Sequence, residues 1–134
     1  MISALLTLVL AGDPAATTSA IEHCGDQGQA GMMACVDLEA HRARARLGRA
    51  ERALVGALAA WDEDPARVAA ARRAAVAART AHASDRAAQC TFREALVGGG
   101  AGNSRRIARR ACEADMDDAY AAWMETYVAT RWGR

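Results

Sequence analysis

The sequence contains no lysine, one phenylalanine and two prolines, and aromatic residues make up only 4% of its 134 positions. All 17 basic residues are therefore arginine, and they face 16 acidic residues, which leaves a formal net charge of +1. A net charge this small gives no long-range attraction to nucleic acid or to an anionic membrane. Alanine occupies 36 positions, so a core buries little apolar area per residue and needs cross-links or a partner.

Apolar residues recur at helical spacing, and no segment alternates in the way that predicts a strand. One seam predicts a helix from about Gln29 to Trp61 and comprises Val36, Ala40, Ala43, Leu47, Ala50, Leu54, Ala57 and Trp61. A second helix begins at Pro65, with Asp64 as its cap, and ends near Leu96. Glycines at 98–102 precede a third helix, capped by Asn103 or Ser104. Short turns make successive helices antiparallel, so we predict an all-α bundle of about three helices.

The second and third helices carry seams of different character. In the second helix the seam is apolar at its ends and polar in its middle, and it comprises Val68, Ala71, Ala75, Ala78, His82, Asp85, Gln89, Phe92 and Leu96. In the third helix the seam comprises Cys112, Met116, Tyr120, Trp123 and Tyr127. We predict that this aromatic stripe is part of the core and not a ligand site.

The first residues form a separate segment. Ile2–Gly12 is an uncharged run that is too short to span a bilayer as a helix. Its length and position are typical of a signal peptide, with Val9 and Ala11 placed for cleavage after residue 11; the alternative is a buried apolar helix. We therefore predict a signal peptide over 1–11, a flexible leader over 12–23 and one helical domain over 24–131. The mature chain is then exported, periplasmic or extracellular, and has no integral membrane segment.

Four cysteines in a short exported chain predict two disulfides, for which three pairings exist. Cys90 and Cys112 lie at matching distances on either side of the glycine turn, so they face each other in an antiparallel hairpin. Cys24 and Cys35 remain. Eleven residues of helix would separate them by about 16 Å, which is too far for a disulfide. Cys24 must therefore lie outside the helix, on a segment that folds back over its first turns.

The chain offers few groups for catalysis or for binding a metal. Its three histidines stand in no Ser-His-Asp order and beside no nucleophile motif. A metal site from His23, Cys24, Cys35 and His41 is the competing interpretation of the cysteines, but it lacks closely spaced ligand pairs. His82 has Asp85 and Arg86 within helical reach, and we expect a partly exposed histidine with these local partners. We predict no enzyme activity, no metal and no cofactor.

Five arginines are the candidate binding residues. Arg86 is expected to pair with a carboxylate on a neighbouring helix and to hold the helix crossing. Arg105, Arg106, Arg109 and Arg110 form the densest basic cluster, near the start of the third helix. No aromatic residue stands beside them for base stacking, so nucleic acid is not the expected partner. Because Arg109 has Glu113 at i+4, and Asp115, Asp117 and Asp118 follow, a solvated, salt-bridged face is the simpler interpretation.

Two short blocks resemble the LprI-type lysozyme inhibitors, which are small secreted bacterial domains. Gln29–Cys35, QAGMMAC, looks like that family's Q-A-E-M-N-E-C, and Arg86–Cys90, RAAQC, is similar to its R-D-A-E-C. A glycine cluster and a last cysteine follow in the family's order, while His82 stands where the family has Trp. The resemblance covers about Cys24 to Tyr127. It implies an all-α fold with bridges Cys24–Cys35 and Cys90–Cys112.

The resemblance also implies a secreted or periplasmic binding protein with lysozyme as its target. An inhibitor needs only a rigid surface that blocks the cleft and meets its two catalytic carboxylates. The alternative is a non-catalytic structural or assembly module of the cell envelope, packing its alanine-rich faces on another helix. A monomer that binds lysozyme favours the first function, and a concentration-dependent mass favours the second. The oligomeric state is left open.

Overall fold

A computed structural model describes residues 18–99 and 102–133, and every regular element in that part of the chain is helical. The four helices are α1 (Ala20–Cys24), α2 (Gln29–Ala59), α3 (Pro65–Leu96) and α4 (Ser104–Trp132). The predicted all-α bundle is confirmed, with a short additional helix before the three long ones. No helix among these residues is long and apolar enough to cross a membrane. The predicted signal peptide lies outside the described residues.

The ends of the long helices follow from their local sequence. The Asp64 carboxylate accepts hydrogen bonds from the backbone N–H groups of Ala66 and Arg67, and Pro65 occupies the first turn of α3, as predicted. Gly98 and Gly102 have φ of 68° and 67°, a region that L side chains rarely adopt. Asn103 occupies the N-cap position of α4 but makes no side-chain capping bond. The turn between α3 and α4 therefore depends on its glycines.

The short helix α1 lies within the segment predicted as a flexible leader. Ser19 and Glu22 form a capping box, in which each side chain bonds the backbone of the other residue. The backbone N–H of Ala20 donates to Asp115 of α4 at 2.8 Å. Residues 20–23 are therefore helical and docked, which corrects the leader prediction for them, whereas 12–17 lie outside the described residues. As predicted, Cys24 precedes α2 and folds back over it.

The long helices α2 and α4 run in the same direction and bury most of the core between them. Ion pairs fix their register, as in Asp37–Arg110 and Arg44–Asp117. Most of the predicted seam of α2 is buried, namely Val36, Ala40, Ala43, Leu47 and Ala50. Alanine on this seam lets the two helices pack closely, and α3 then runs antiparallel to both, mainly against α4.

Helix α3 lies on the surface of this pair, and Cys90 is its only fully buried residue. The predicted seam is wrong at its C-terminal end, because Phe92 and Leu96 are 63% and 69% exposed. The disulfide turns Cys90 towards α4, and His82 and Arg86, at intervals of four residues, face α4 with it. A position two residues after Cys90 must then point away from the bundle.

The predicted aromatic core of α4 is also only partly correct. Cys112 is buried and Tyr120 half-buried, but Trp123 and Tyr127 are 57% and 49% exposed. Their rings stack on one another along the helix, with centroids 5.8 Å apart. The register set by Cys90–Cys112 and His82–Asp117 brings residues 74–78 of α3 to this level, and four of these five are alanine, whose side chain is too short to cover an indole ring.

Candidate functional site

All three long helices meet at one buried carboxylate, that of Asp117 on α4, which is only 2% exposed. Its Oδ2 accepts hydrogen bonds from Arg44 Nε of α2 at 3.0 Å and from Arg86 Nη1 of α3 at 2.5 Å. His82 Nε2 of α3 lies 3.0 Å from Oδ1. We call these four residues the Asp117 cluster.

The Asp117 cluster satisfies a group that is costly to bury alone. An ionised carboxylate removed from water requires paired charge and hydrogen bonds, and here two guanidinium groups supply both. The His82 ring also stacks on Tyr120, with centroids 4.2 Å apart and planes inclined by 12°. Burial, and secondarily the negative charge of Glu51, raises the pKa of the Tyr120 hydroxyl. The cluster therefore joins the polar crossing of the helices to the aromatic side of α4.

A groove of about 530 Å³ opens directly above the Asp117 cluster, between α2 and α3. Its lining comprises Arg44, Leu47, Gly48, Glu51, Arg52, Val55, Arg79, His82, Ala83, Arg86 and Asp117. The groove exists because α2 and α3 each pack on α4 more than on each other. Four arginines and a histidine thus border one concave surface that contains only two carboxylates.

The rim of the groove is formed by side chains that reach into solvent. Arg79 Nε lies 3.2 Å from Glu51 Oε1 in an ion pair. Arg52 is exposed, and its side chain has no hydrogen-bond or ion-pair partner anywhere in the described chain. The Arg44 side chain is 60% exposed although its Nε is bound to Asp117. These groups leave several N–H donors facing the groove and the solvent around it.

The arginines at the start of α4 differ from those of the groove, because three of the four, Arg106, Arg109 and Arg110, are paired with acidic residues. Arg109 bonds Glu113 and Glu94, and Arg110 bonds Glu113 and Asp37. These hydrogen bonds, those to Glu113 foremost, raise the pKa values of both guanidinium groups.

Arg105 and Arg106 are the more accessible arginines of that cluster. Arg106 Nη2 lies 3.6 Å from Asp37, and Arg105 is exposed with no side-chain partner among the residues described. The predicted i+4 pair of Arg109 with Glu113 is confirmed. Arg86 belongs to the Asp117 cluster, and Arg110, one of these four arginines, lines a cavity with it, one of about 170 Å³ that Arg44 and Asp117 also line.

Two disulfides hold one end of the bundle. Cys24–Cys35 joins α1 to α2 with Cα atoms 5.8 Å apart, and Cys90–Cys112 joins α3 to α4 with Cα atoms 5.5 Å apart. Both predicted pairings are confirmed. The metal-site alternative is wrong, because Cys24 and Cys35 bond each other, and the described residues contain no cluster of metal-ligating side chains.

The pattern of cysteines and helices coincides with a known family. The family model described as lysozyme inhibitor LprI matches residues 22–124. The chain belongs to the LprI family. No curated protein and no solved structure matches it. The matched range includes all four cysteines, the Asp117 cluster and every residue that lines the groove.

Within this LprI-family chain, sequence reasoning found part of the site. Arg86 pairs with a carboxylate on a neighbouring helix, as predicted. The expectation for His82 is wrong, because its ring contacts Asp117 and Tyr120 of α4 and not its neighbours on α3. At this position, where the resemblance expects Trp, the imidazole still supplies a flat ring that stacks on an aromatic residue.

The residue that sequence reasoning misses is Asp117, because the charge pattern predicts it on a solvated face and the structure buries it. The signal was its spacing, because Asp117 follows Ala114 by three residues and precedes Ala121 by four, and both alanines are buried. An acidic residue on a buried stripe requires cationic partners from other helices. The sequence contains no comparable signal for Arg44 and Arg52, the groove arginines of α2, because they lie far in sequence from the α3 residues that face them across the groove.

Proposed function

We propose that this chain is an exported, non-catalytic protein that binds lysozyme and inhibits it. The observation that carries the proposal is the LprI family match over residues 22–124, since that family is described by lysozyme inhibition. Binding rather than catalysis is the mechanism, because inhibition requires a surface that blocks the substrate cleft and no reacting group.

The two disulfides support both the location and the binding role. Disulfides form and persist in oxidising compartments, which is consistent with export through the signal peptide predicted over 1–11. They also restrict the chain so that less conformational freedom is lost when a partner binds. An alanine-rich bundle with little buried apolar area gains in particular from such cross-links.

The small net charge predicts how such a complex forms. A chain of net charge +1 gains no long-range attraction to a basic lysozyme, so association depends on local contacts. Arginine is suited to them, because its planar guanidinium forms paired hydrogen bonds with carboxylates. The proposed contacts are Arg105 and Arg106 at the start of α4 and the arginines of the groove.

The direct test is lysozyme-driven lysis of a cell-wall suspension, with the oxidised protein titrated from substoichiometric amounts to molar excess. Reduced and alkylated protein serves as the matched control. We expect inhibition that saturates near an equimolar ratio and disappears on reduction. Absence of inhibition with both animal-type and bacterial-type lysozymes would contradict the proposal and favour an envelope module.

A further inference from the structure

The groove between α2 and α3 presents guanidinium donors that the chain itself does not use. We propose that it is the lysozyme contact site and that it binds an acidic segment of the lysozyme, one that carries at least two exposed carboxylates. This inference rests on the proposed function and assigns the binding surface to a part of the molecule other than the arginine cluster at the start of α4.

Three arginines of the groove have guanidinium donors without a partner in the described chain. Arg44 engages Asp117 through Nε, and Arg79 engages Glu51 through Nε, so both terminal nitrogens of each remain available. Arg52 has no side-chain partner in the described chain. The donors lie on two facing helices, so a ligand in the groove meets them from both sides.

The Asp117 cluster gives the base of the groove a fixed shape. Arg86 is bound to a carboxylate that is itself buried, and its side chain is only 17% exposed. Arg44 shares the same carboxylate oxygen. Guanidinium groups held in this way need not be reoriented when a ligand arrives, which reduces the entropy lost on binding.

The charge and the lining favour carboxylates on a protein segment. The groove contains four arginines and only two carboxylates, those of Asp117 and Glu51. Both carboxylates already have partners within the chain, since Asp117 is bound by Arg86 and Glu51 forms an ion pair with Arg79. The apolar surface of Leu47, Val55 and Ala83 suits the aliphatic part of acidic side chains. No Trp, Tyr or Phe lines the groove, and single-stranded nucleic acid needs such rings for base stacking.

The arginines at the start of α4 are the weaker site by the same criteria. Arg109 and Arg110 each bond two carboxylates of this chain through Nε and Nη1, so only one terminal nitrogen of each lacks a bond within the described chain, against two in Arg44 and in Arg79. Arg105 has no side-chain partner among the described residues, but it and its neighbours all lie on α4, whereas the groove offers donors from two facing helices.

The test reverses charge at the rim, where the fold does not depend on it. The double variant Arg52→Glu/Arg79→Glu changes two exposed side chains outside the Asp117 cluster. Arg67→Glu is the matched control, because Arg67 is exposed on α3, lies away from the groove and has no side-chain partner among the described residues. Circular dichroism of each oxidised variant verifies that the helices are retained.

The readout is the dissociation constant, measured by calorimetry, for the lysozyme that the wild-type chain inhibits most strongly. We expect the double variant to bind at least about tenfold more weakly and the control to stay within about twofold of the wild type. Added salt should weaken wild-type binding more than binding by the double variant.

The possible outcomes separate the two proposals. Unchanged affinity in the double variant, with wild-type inhibition intact, overturns the groove and leaves the proposed function standing. A loss in Arg105→Glu without a loss in the double variant also overturns the groove and assigns contact to the start of α4. A wild-type chain that binds no lysozyme overturns both.

Discussion

The two ends of the bundle differ in how they are held together. At the cross-linked end, α1, the first turns of α2 and α4 and the last turns of α3 surround both disulfides and a core of nine buried residues within the described chain. At the open end, the core described has four buried residues, and Trp123 and Tyr127 remain exposed. Both ends are rich in alanine, so covalent bridges, rather than composition, account for the tighter end.

The largest expected effect comes from removing the bridge that attaches α3. In Cys90→Ala/Cys112→Ala, the free energy of unfolding should fall by about 3 kcal/mol, because the unfolded chain regains the freedom of a closed loop. Since α3 buries little else, its amides should also exchange with solvent faster. Urea unfolding and hydrogen exchange measure the two effects. Unchanged protection of α3 would show that packing alone holds it.

The second prediction concerns the Asp117 cluster, where the three long helices meet. Asp117→Ala should lower the free energy of unfolding by about 2–3 kcal/mol, because Arg86 and His82 lose their buried partner while Arg44 can turn to solvent. Asp118→Ala is the matched control, since Asp118 is more exposed and pairs with Arg46. Its cost should stay below about 1 kcal/mol. Equal losses in the two variants, measured by urea unfolding, would refute the special role of Asp117.

Two adjacent residues of α4, Trp123 and Met124, test how tightly the open end is packed. Met124→Ala should cost about 2–3 kcal/mol, because Met124 is 3% exposed and its removal leaves a cavity. Trp123→Ala removes a larger side chain but should cost only about 1 kcal/mol, since its ring is mostly exposed and loses chiefly its stacking on Tyr120 and Tyr127. Thermal and urea unfolding of the pair provide the check. A larger loss at Trp123 would mean that its ring is covered in solution.

The smallest expected effect is a dependence of stability on acid pH. Hydrogen bonds from Arg46 lower the pKa of Glu125. The stabilisation is therefore present above the pKa of Glu125 in the unfolded chain and is lost as pH falls through the lower pKa of the folded chain. Glu125 is substantially exposed, so the contribution should be below about 1 kcal/mol. Glu125→Gln should flatten the acid side of the stability profile by that amount, and an identical profile would contradict the linkage.

The sequence predicts what depends on local patterns. Helix bounds follow from periodicity and from Asp64, Pro65 and the glycine turn, and the Cys90–Cys112 pairing follows from the length of a hairpin. The exposure of Trp123 could not be obtained in this way, because it depends on which small residues α3 places opposite the ring. Asp117 was missed because an acidic residue is usually solvated, and only the facing helices show that its partners are present. The groove could not be predicted for the same reason, because it is a gap between helices and no sequence motif marks it.

The most direct measurement is hydrogen exchange of the oxidised chain, free and in the presence of an inhibited lysozyme. For the free chain we predict slow exchange at the cross-linked end and faster exchange in the first half of α3. On binding, exchange should slow at residues 44–55 of α2 and 79–86 of α3, which line the groove. Slowing confined to residues 104–113, or no change with any lysozyme, would contradict the account.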